Sequence, residues 1–170
     1  MPELDRIDTR ILAVVQENGE LTLEELAERV LLSPSQCSRR LQHLRDEGYI
    51  ARVATLLDAN KLDLGLKAYI MVVLRQQGER SDAFHELVQR SAEVVECCMI
   101  TGDADYILKV CTKDLKSFRA LLDDLAGTRQ IATLRSSIVV EETKYTTALP
   151  LDLSLRKESE PLRTRSRRAP

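Results

Sequence analysis

Gln42 and His43 follow Arg39 by three and four residues, and Ser35 lies one turn earlier, in the stretch SPSQCSRRLQHLRDEG from Ser33 to Gly48. A guanidinium and a carboxamide can each make paired hydrogen bonds to a base edge, so these side chains on one helical face suit the reading of duplex DNA. Arg40, Arg45 and, further on, Arg52 are placed to meet phosphates, which fix register without carrying sequence information. A second group is Thr101-Gly102-Asp103-Ala104-Asp105. A glycine turn exposes backbone N–H groups that suit a carboxylate, and two aspartates beside it suit an ammonium; together they fit an amino-acid zwitterion. The same Gly-Asp pair is also ordinary turn chemistry.

The first group needs a helix to hold it. Ser33 and Gln36 form a Ser-x-x-Gln capping box, Pro34 suits the first helical position, and Gly48 supplies a left-handed stop. Cys37, Leu41 and Leu44 fall at i, i+4 and i+7 as a buried stripe, which turns Ser35, Arg39, Gln42 and His43 the other way. Upstream, residues 5–18 carry Ile7, Ile11, Leu12 and Val15 at helical spacing and end at Gly19, while Thr22 and Glu25 open a second capped helix that runs to Val30. Three short helices with the tight Leu31-Leu32-Ser33 turn predict a helix-turn-helix, and residues 49–57, with Ile50, Arg52 and Ala54 alternating, predict a small wing.

Composition sets limits on these readings. The chain has 170 residues, 44% hydrophobic and 31% charged, enough to bury a core in one or two domains. No run approaches a membrane span and the N-terminal stretch is unlike a secretory signal, so a cytoplasmic location is expected. Cys37, Cys97, Cys98 and Cys111 include no C-x-x-C pair; they read as reduced, mostly buried thiols, with no metal or cofactor expected. A net charge of −2 speaks against coating nucleic acid by bulk electrostatics. Residues 1–60 hold seven Lys and Arg against eleven Asp and Glu, a net of −4, yet four of the seven fall between Arg39 and Arg52. Positive charge is therefore local, and acids on the first two helices would repel phosphates elsewhere.

A polar connector over residues 58–65 separates residues 1–57 from a differently patterned stretch, residues 66–150. Strands are predicted over 67–76, 94–101, 105–111 and 133–140, and helices over 81–91 and 114–125. The order β-α-β-β-α-β is the ferredoxin-like unit, so the fold class is α+β. In such a sheet two helices cover one face and the other should be polar, but Tyr69, Met71 and Val73 are as apolar as Ile70, Val72 and Leu74. A second copy covering that face is the expected reason, and a two-fold dimer supplies two recognition helices for paired half-sites. Residues 151–170, polar and ending with Arg163, Arg165, Arg167 and Arg168, read as a disordered basic tail able to add salt-sensitive DNA contacts.

The opening LDRIDTRIL, the SPSQC turn with RRLQHLRDEGYI, the segment ITGDADYILKV and the closing KYTTALPL resemble signatures of the Lrp/AsnC regulators, over roughly residues 3 to 151. The resemblance implies an N-terminal winged helix-turn-helix and a C-terminal βαββαβ sensor domain of RAM/ACT-like type. It also implies homodimers that often assemble to octamers, pseudo-palindromic operator DNA as partner, an amino-acid effector, and a bacterial or archaeal, nucleoid-associated setting. It places Gly102, Asp103 and Asp105 on the family's effector loop, with Thr101, Ser136 and Ser137 where neighbouring contacts fall. Gln36 stands where the family commonly has proline. Two alternatives share the fold. A siroheme-decarboxylase-like enzyme would rely on histidine and arginine around a bulky tetrapyrrole, and only two histidines, His43 and His85, are present; an architectural DNA-compacting protein would show weak sequence preference.

Overall fold

A computed structural model of the chain describes residues 4–75 and 82–151. They form two compact units, one of residues up to Thr55 together with those from Tyr145 onward, the other Leu56–Lys144.

The first unit is built from α1 (Arg6–Glu17), α2 (Leu23–Val30) and α3 (Pro34–Asp46). Each begins at a residue whose side chain takes over an orphan backbone donor: Asp5 accepts from the Asp8 N–H, and Thr22 and Ser33 each complete a full capping box with Glu25 and Gln36. Ile11, Leu12, Leu26, Ala27, Val30, Cys37 and Leu44 close over one another as a core. The closing segment returns to this unit. Gln16 donates through Nε2 to the Leu149 carbonyl at 3.1 Å and accepts the Leu149 N–H on Oε1 at 2.9 Å, and Leu151 packs against the helical core.

In the wing expected over residues 49–57 the chain forms no strand: residues 50–58 carry no regular structure and pair with no strand among the described residues. Val53, Leu56 and Leu57 are exposed there.

The second unit is a four-stranded antiparallel sheet in the order β2-β3-β1-β4, made of β1 (Leu66–Leu74), β2 (Val94–Met99), β3 (Tyr106–Thr112) and β4 (Ile131–Ile138), with α4 (Asp82–Arg90) and α5 (Leu115–Ala126). This is the predicted ferredoxin-like topology with bounds shifted by up to two residues. Ala68, Ile70, Val72 and Leu74 of β1 and Tyr106, Leu108 and Val110 of β3 meet Phe84, Leu87 and Val88 of α4 and Phe118, Leu121 and Leu125 of α5 in one core. Successive strand residues point to opposite faces, so Tyr69, Met71 and Ile107 lie on the face away from that core; Met71 pairs across from Ile107 and Tyr69 from Lys109. Of the cysteines, Cys37 is buried, Cys97 and Cys111 are half-buried, and Cys98 is exposed, so "mostly buried" holds only in part. Burial pushes the Cys37 and Cys97 thiols up from their ordinary value, and the bond to Glu96 does so for Cys98, which disfavours the reactive thiolate. The basic tail and the start of the segment predicted as a helix over 81–91 lie outside the described residues.

Candidate functional sites

The helix-turn-helix turn rests on an unusual residue. Leu31 adopts φ 57° and Gly48 φ 76°, and both close the same pattern of bonds. Leu31 and Leu32 donate to the carbonyls of Glu28 and Ala27, as Gly48 and Tyr49 donate to those of Arg45 and Leu44. This is the left-handed helix end that normally takes glycine. At the turn into α3 the position is filled by leucine, its side chain 78% exposed.

Along α3, Ser35, Arg39, Gln42, His43 and Arg45 are exposed while Cys37 and Leu44 face inward. Arg39, His43 and Arg45 make no ion pair among the described residues. Gln42 donates to Asp46 Oδ1 at 2.7 Å. Ser33 and Gln36 are engaged in the cap, with Ser33 Oγ accepting the Gln36 N–H at 3.3 Å and Gln36 Oε1 accepting the Ser33 N–H at 3.2 Å, and Ser33 Oγ lies 3.2 Å from Ser35 Oγ.

Arg40 departs from expectation. Its Nη1 donates to both Asp5 Oδ2 and Asp8 Oδ1 at 2.7 Å, so the guanidinium is turned to α1 instead of to a phosphate. The Asp8 side chain is only 12% exposed, so the pair is well shielded from water. Burial works to raise the Asp5 carboxyl, but the Asp8 N–H and the Arg40 guanidinium outweigh it and hold the group below its ordinary value. The bonds to Asp8 and Asp5 raise Arg40 in turn. Two of the acids expected to repel phosphates, Asp8 of α1 and its N-cap Asp5, instead neutralise Arg40. Arg52 lies exposed in the irregular segment after α3.

In the second unit Thr101, Gly102 and Asp103 form an exposed turn between β2 and β3. Gly102 has φ 115°, a conformation open to glycine and costly for other residues. Asp105 is not a free ligand of that turn. Its Oδ2 accepts the Leu74 N–H at 2.7 Å, its own N–H donates to the Val72 carbonyl at 2.9 Å, and its carbonyl accepts from Ile100 at 2.9 Å. The residue ties the loop to β1 through one of its two carboxylate oxygens. Ser136 and Ser137 sit on the edge strand β4, opposite Ile70 and Tyr69 respectively, so they point to opposite faces of the sheet. The loop joins β2 to β3, whereas the serines lie on β4 at the other edge of the sheet.

His85, one of the two histidines open to the enzyme alternative, packs its ring against Phe84 and Tyr106, with centroids 5.6 Å away in both cases, and its Nε2 lies 3.4 Å from Tyr106 Oη.

A capped helix-turn-helix with a basic third helix, joined to a ferredoxin-like sensor unit, defines a DNA-binding transcriptional regulator with a ligand-binding domain. The comparisons agree. Residues 4–51 match the winged helix-turn-helix DNA-binding family and residues 67–149 the Lrp/AsnC ligand binding domain. The leucine-responsive regulatory proteins of Klebsiella pneumoniae and Escherichia coli are each 34% identical over 149 residues, 86% of this chain and 91% of theirs. Among solved structures, a Neisseria meningitidis transcriptional regulator in complex with L-Met is 42% identical with a TM-score of 0.86, covering 90% of this chain and 100% of that one. An AsnC family transcriptional regulator from Agrobacterium tumefaciens is 33% identical with a TM-score of 0.83, covering 89% of this chain and 100% of that one. The chain belongs to the Lrp/AsnC family of transcriptional regulators.

Proposed function

We propose that this regulator reads pseudo-palindromic operators of amino-acid metabolism genes as a homodimer that assembles further to an octamer, and that an amino acid bound at the Gly102 loop controls it. It acts as a regulator and not as an enzyme, in the cytoplasm and on the nucleoid. The observation that carries the reading is the exposed, capped face of α3, with Arg39, His43 and Arg45 making no ion pair among the described residues. Arg39, Gln42 and His43, with Ser35 at the helix start, meet base edges; Arg45 and Arg52 meet phosphates. Ser33 and Gln36 act through the cap, whose N–H end also suits a phosphate, and Arg40 acts by fixing α3 on α1.

The effector site rests on Thr101, Gly102 and Asp103, with Asp105 shaping the loop. Since Ser136 and Ser137 lie on opposite faces of β4, they contribute through assembly, where a second copy completes the pocket. The complex of the Neisseria meningitidis relative with L-Met supports an amino acid as the class of effector. Its binding shifts the packing of dimers and so the spacing of helices offered to DNA, a coupling of about 1 to 3 kcal/mol.

The test is a gel-shift titration of the chain's own promoter with the Arg39→Ala variant. Operator affinity should fall by about 1 to 3 kcal/mol, with affinity for random duplex falling less and the melting temperature unchanged. Operator binding equal to that of the parent chain overturns the assignment, and equal affinity of the parent chain for operator and random duplex favours the architectural alternative.

A further inference from the structure

The second unit holds a cavity of about 340 Å³ away from the Gly102 turn. One wall is a stripe of α4, on which Glu86, Leu87 and Arg90 recur at i, i+1 and i+4; the other is the turn Thr128-Arg129-Gln130 between α5 and β4. The volume falls at the lower end of the range for small-molecule sites.

The turn wall is pinned from several sides. The Thr128 N–H donates to the Leu125 carbonyl at 3.0 Å, the Arg75 N–H to the Gln130 carbonyl at 2.8 Å, and Arg75 Nε to the Arg129 carbonyl at 2.9 Å. Gln130 Oε1 accepts the Phe84 N–H at 3.1 Å and so ties the turn to the start of α4. Leu87 is 5% exposed and gives an apolar floor. Around it stand two guanidiniums and one carboxylate, Arg90, Arg129 and Glu86, none in an ion pair among the described residues. A pocket that gathers charges of both signs, unpaired among the described residues, fits a ligand of the complementary pattern, because planar guanidiniums bind carboxylates in paired hydrogen bonds.

We infer that this cavity binds a small amino dicarboxylate of the L-glutamate or L-aspartate class, its two carboxylates at Arg90 and Arg129 and its ammonium at Glu86. The three lining charges sum to +1, against −1 for such a ligand. A monocarboxylic amino acid leaves one guanidinium unmatched, and a simple dicarboxylate leaves Glu86 unmatched. The site is separate from the effector loop and does not depend on it.

Isothermal titration of the full chain with L-glutamate and with glutarate, which lacks the ammonium, tests the assignment. L-Glutamate should bind saturably and more tightly than glutarate. Arg90→Ala with Arg129→Ala should weaken L-glutamate by roughly 100-fold, and Glu86→Gln should erase the preference over glutarate. Both arginines are exposed, so the melting temperature should hold, and the milder Arg90→Lys with Arg129→Lys should retain part of the affinity. Asp103→Ala should leave this binding untouched while weakening the effector response, which separates failure here from failure of the loop reading. No saturable binding of L-glutamate to the parent chain at millimolar concentration overturns the inference, as does full affinity in the double alanine variant.

Discussion

Arg39 and Arg40 are neighbours on one helix with different tasks, and the difference lies in what each side chain finds within its own chain. Arg40 finds Asp5 and Asp8, and removing it leaves the largely buried Asp8 without its cation. Arg40→Ala should therefore cost about 2 kcal/mol of stability in thermal or urea unfolding, whereas Arg39→Ala costs none. The pair has a pH signature as well. Asp5 sits below its ordinary 3.8 in the folded chain, so its contribution is complete above that value and is lost as pH falls toward the folded one. The variant should show a flatter loss of stability on that acid limb, and an identical limb would deny Arg40 its share. Leu31 calls for the opposite kind of substitution. A left-handed leucine costs about 1 to 2 kcal/mol relative to a right-handed one, and this one buries little, so Leu31→Gly should raise stability by about 1 kcal/mol despite the extra freedom it gives the unfolded chain.

Elements with both ends written in local chemistry were legible in the sequence. Ser33, Pro34 and Gln36 start α3 and Gly48 stops it, and all act within one helical turn of their own position. The strands were legible from their apolar runs, with ends misplaced because cross-strand pairing, not composition, decides where a ladder stops. Three features were not legible for the same reason: each rests on a partner distant in the chain. Arg40 meets acids 32 and 35 residues away, Gln16 meets a carbonyl 133 residues away, and Asp105 holds a β1 amide 31 residues away. No strand forms over residues 50–58 because the alternation there supplies a strand's pattern without a partner strand among the described residues. Asp105 and Asp103, equal in the motif, now part company. Asp103→Ala should weaken the effector response with the melting temperature unchanged, whereas Asp105→Ala should lower the melting temperature too, since it leaves the Leu74 N–H unsatisfied. Equal melting temperatures in the two variants would return Asp105 to the ligand.

The uncovered sheet face is where the proposed dimer would bury its interface. Tyr69 and Met71 are 39% and 43% exposed, on the central strand β1, whose other face carries the core, and Met71 has Ile107 of the neighbouring β3 directly across from it. Lys109 and Arg135 stand beside this apolar strip, opposite Tyr69 and Met71. A two-fold partner laid on this face buries each strip residue twice, at about 25 cal/mol per Å² of apolar surface removed from water. Met71→Glu should therefore convert dimers to monomers in sedimentation equilibrium without unfolding the sheet, because the side chain lies outside the core. The consequence reaches the DNA. A dimer engages its second half-site at the high effective concentration set by the first, and losing that should weaken binding to a full operator by on the order of 100-fold or more. Binding to an isolated half-site, which needs one α3 only, should stay where it was. If Met71→Glu leaves both the oligomeric state and full-operator affinity unchanged, this face is not a dimer interface.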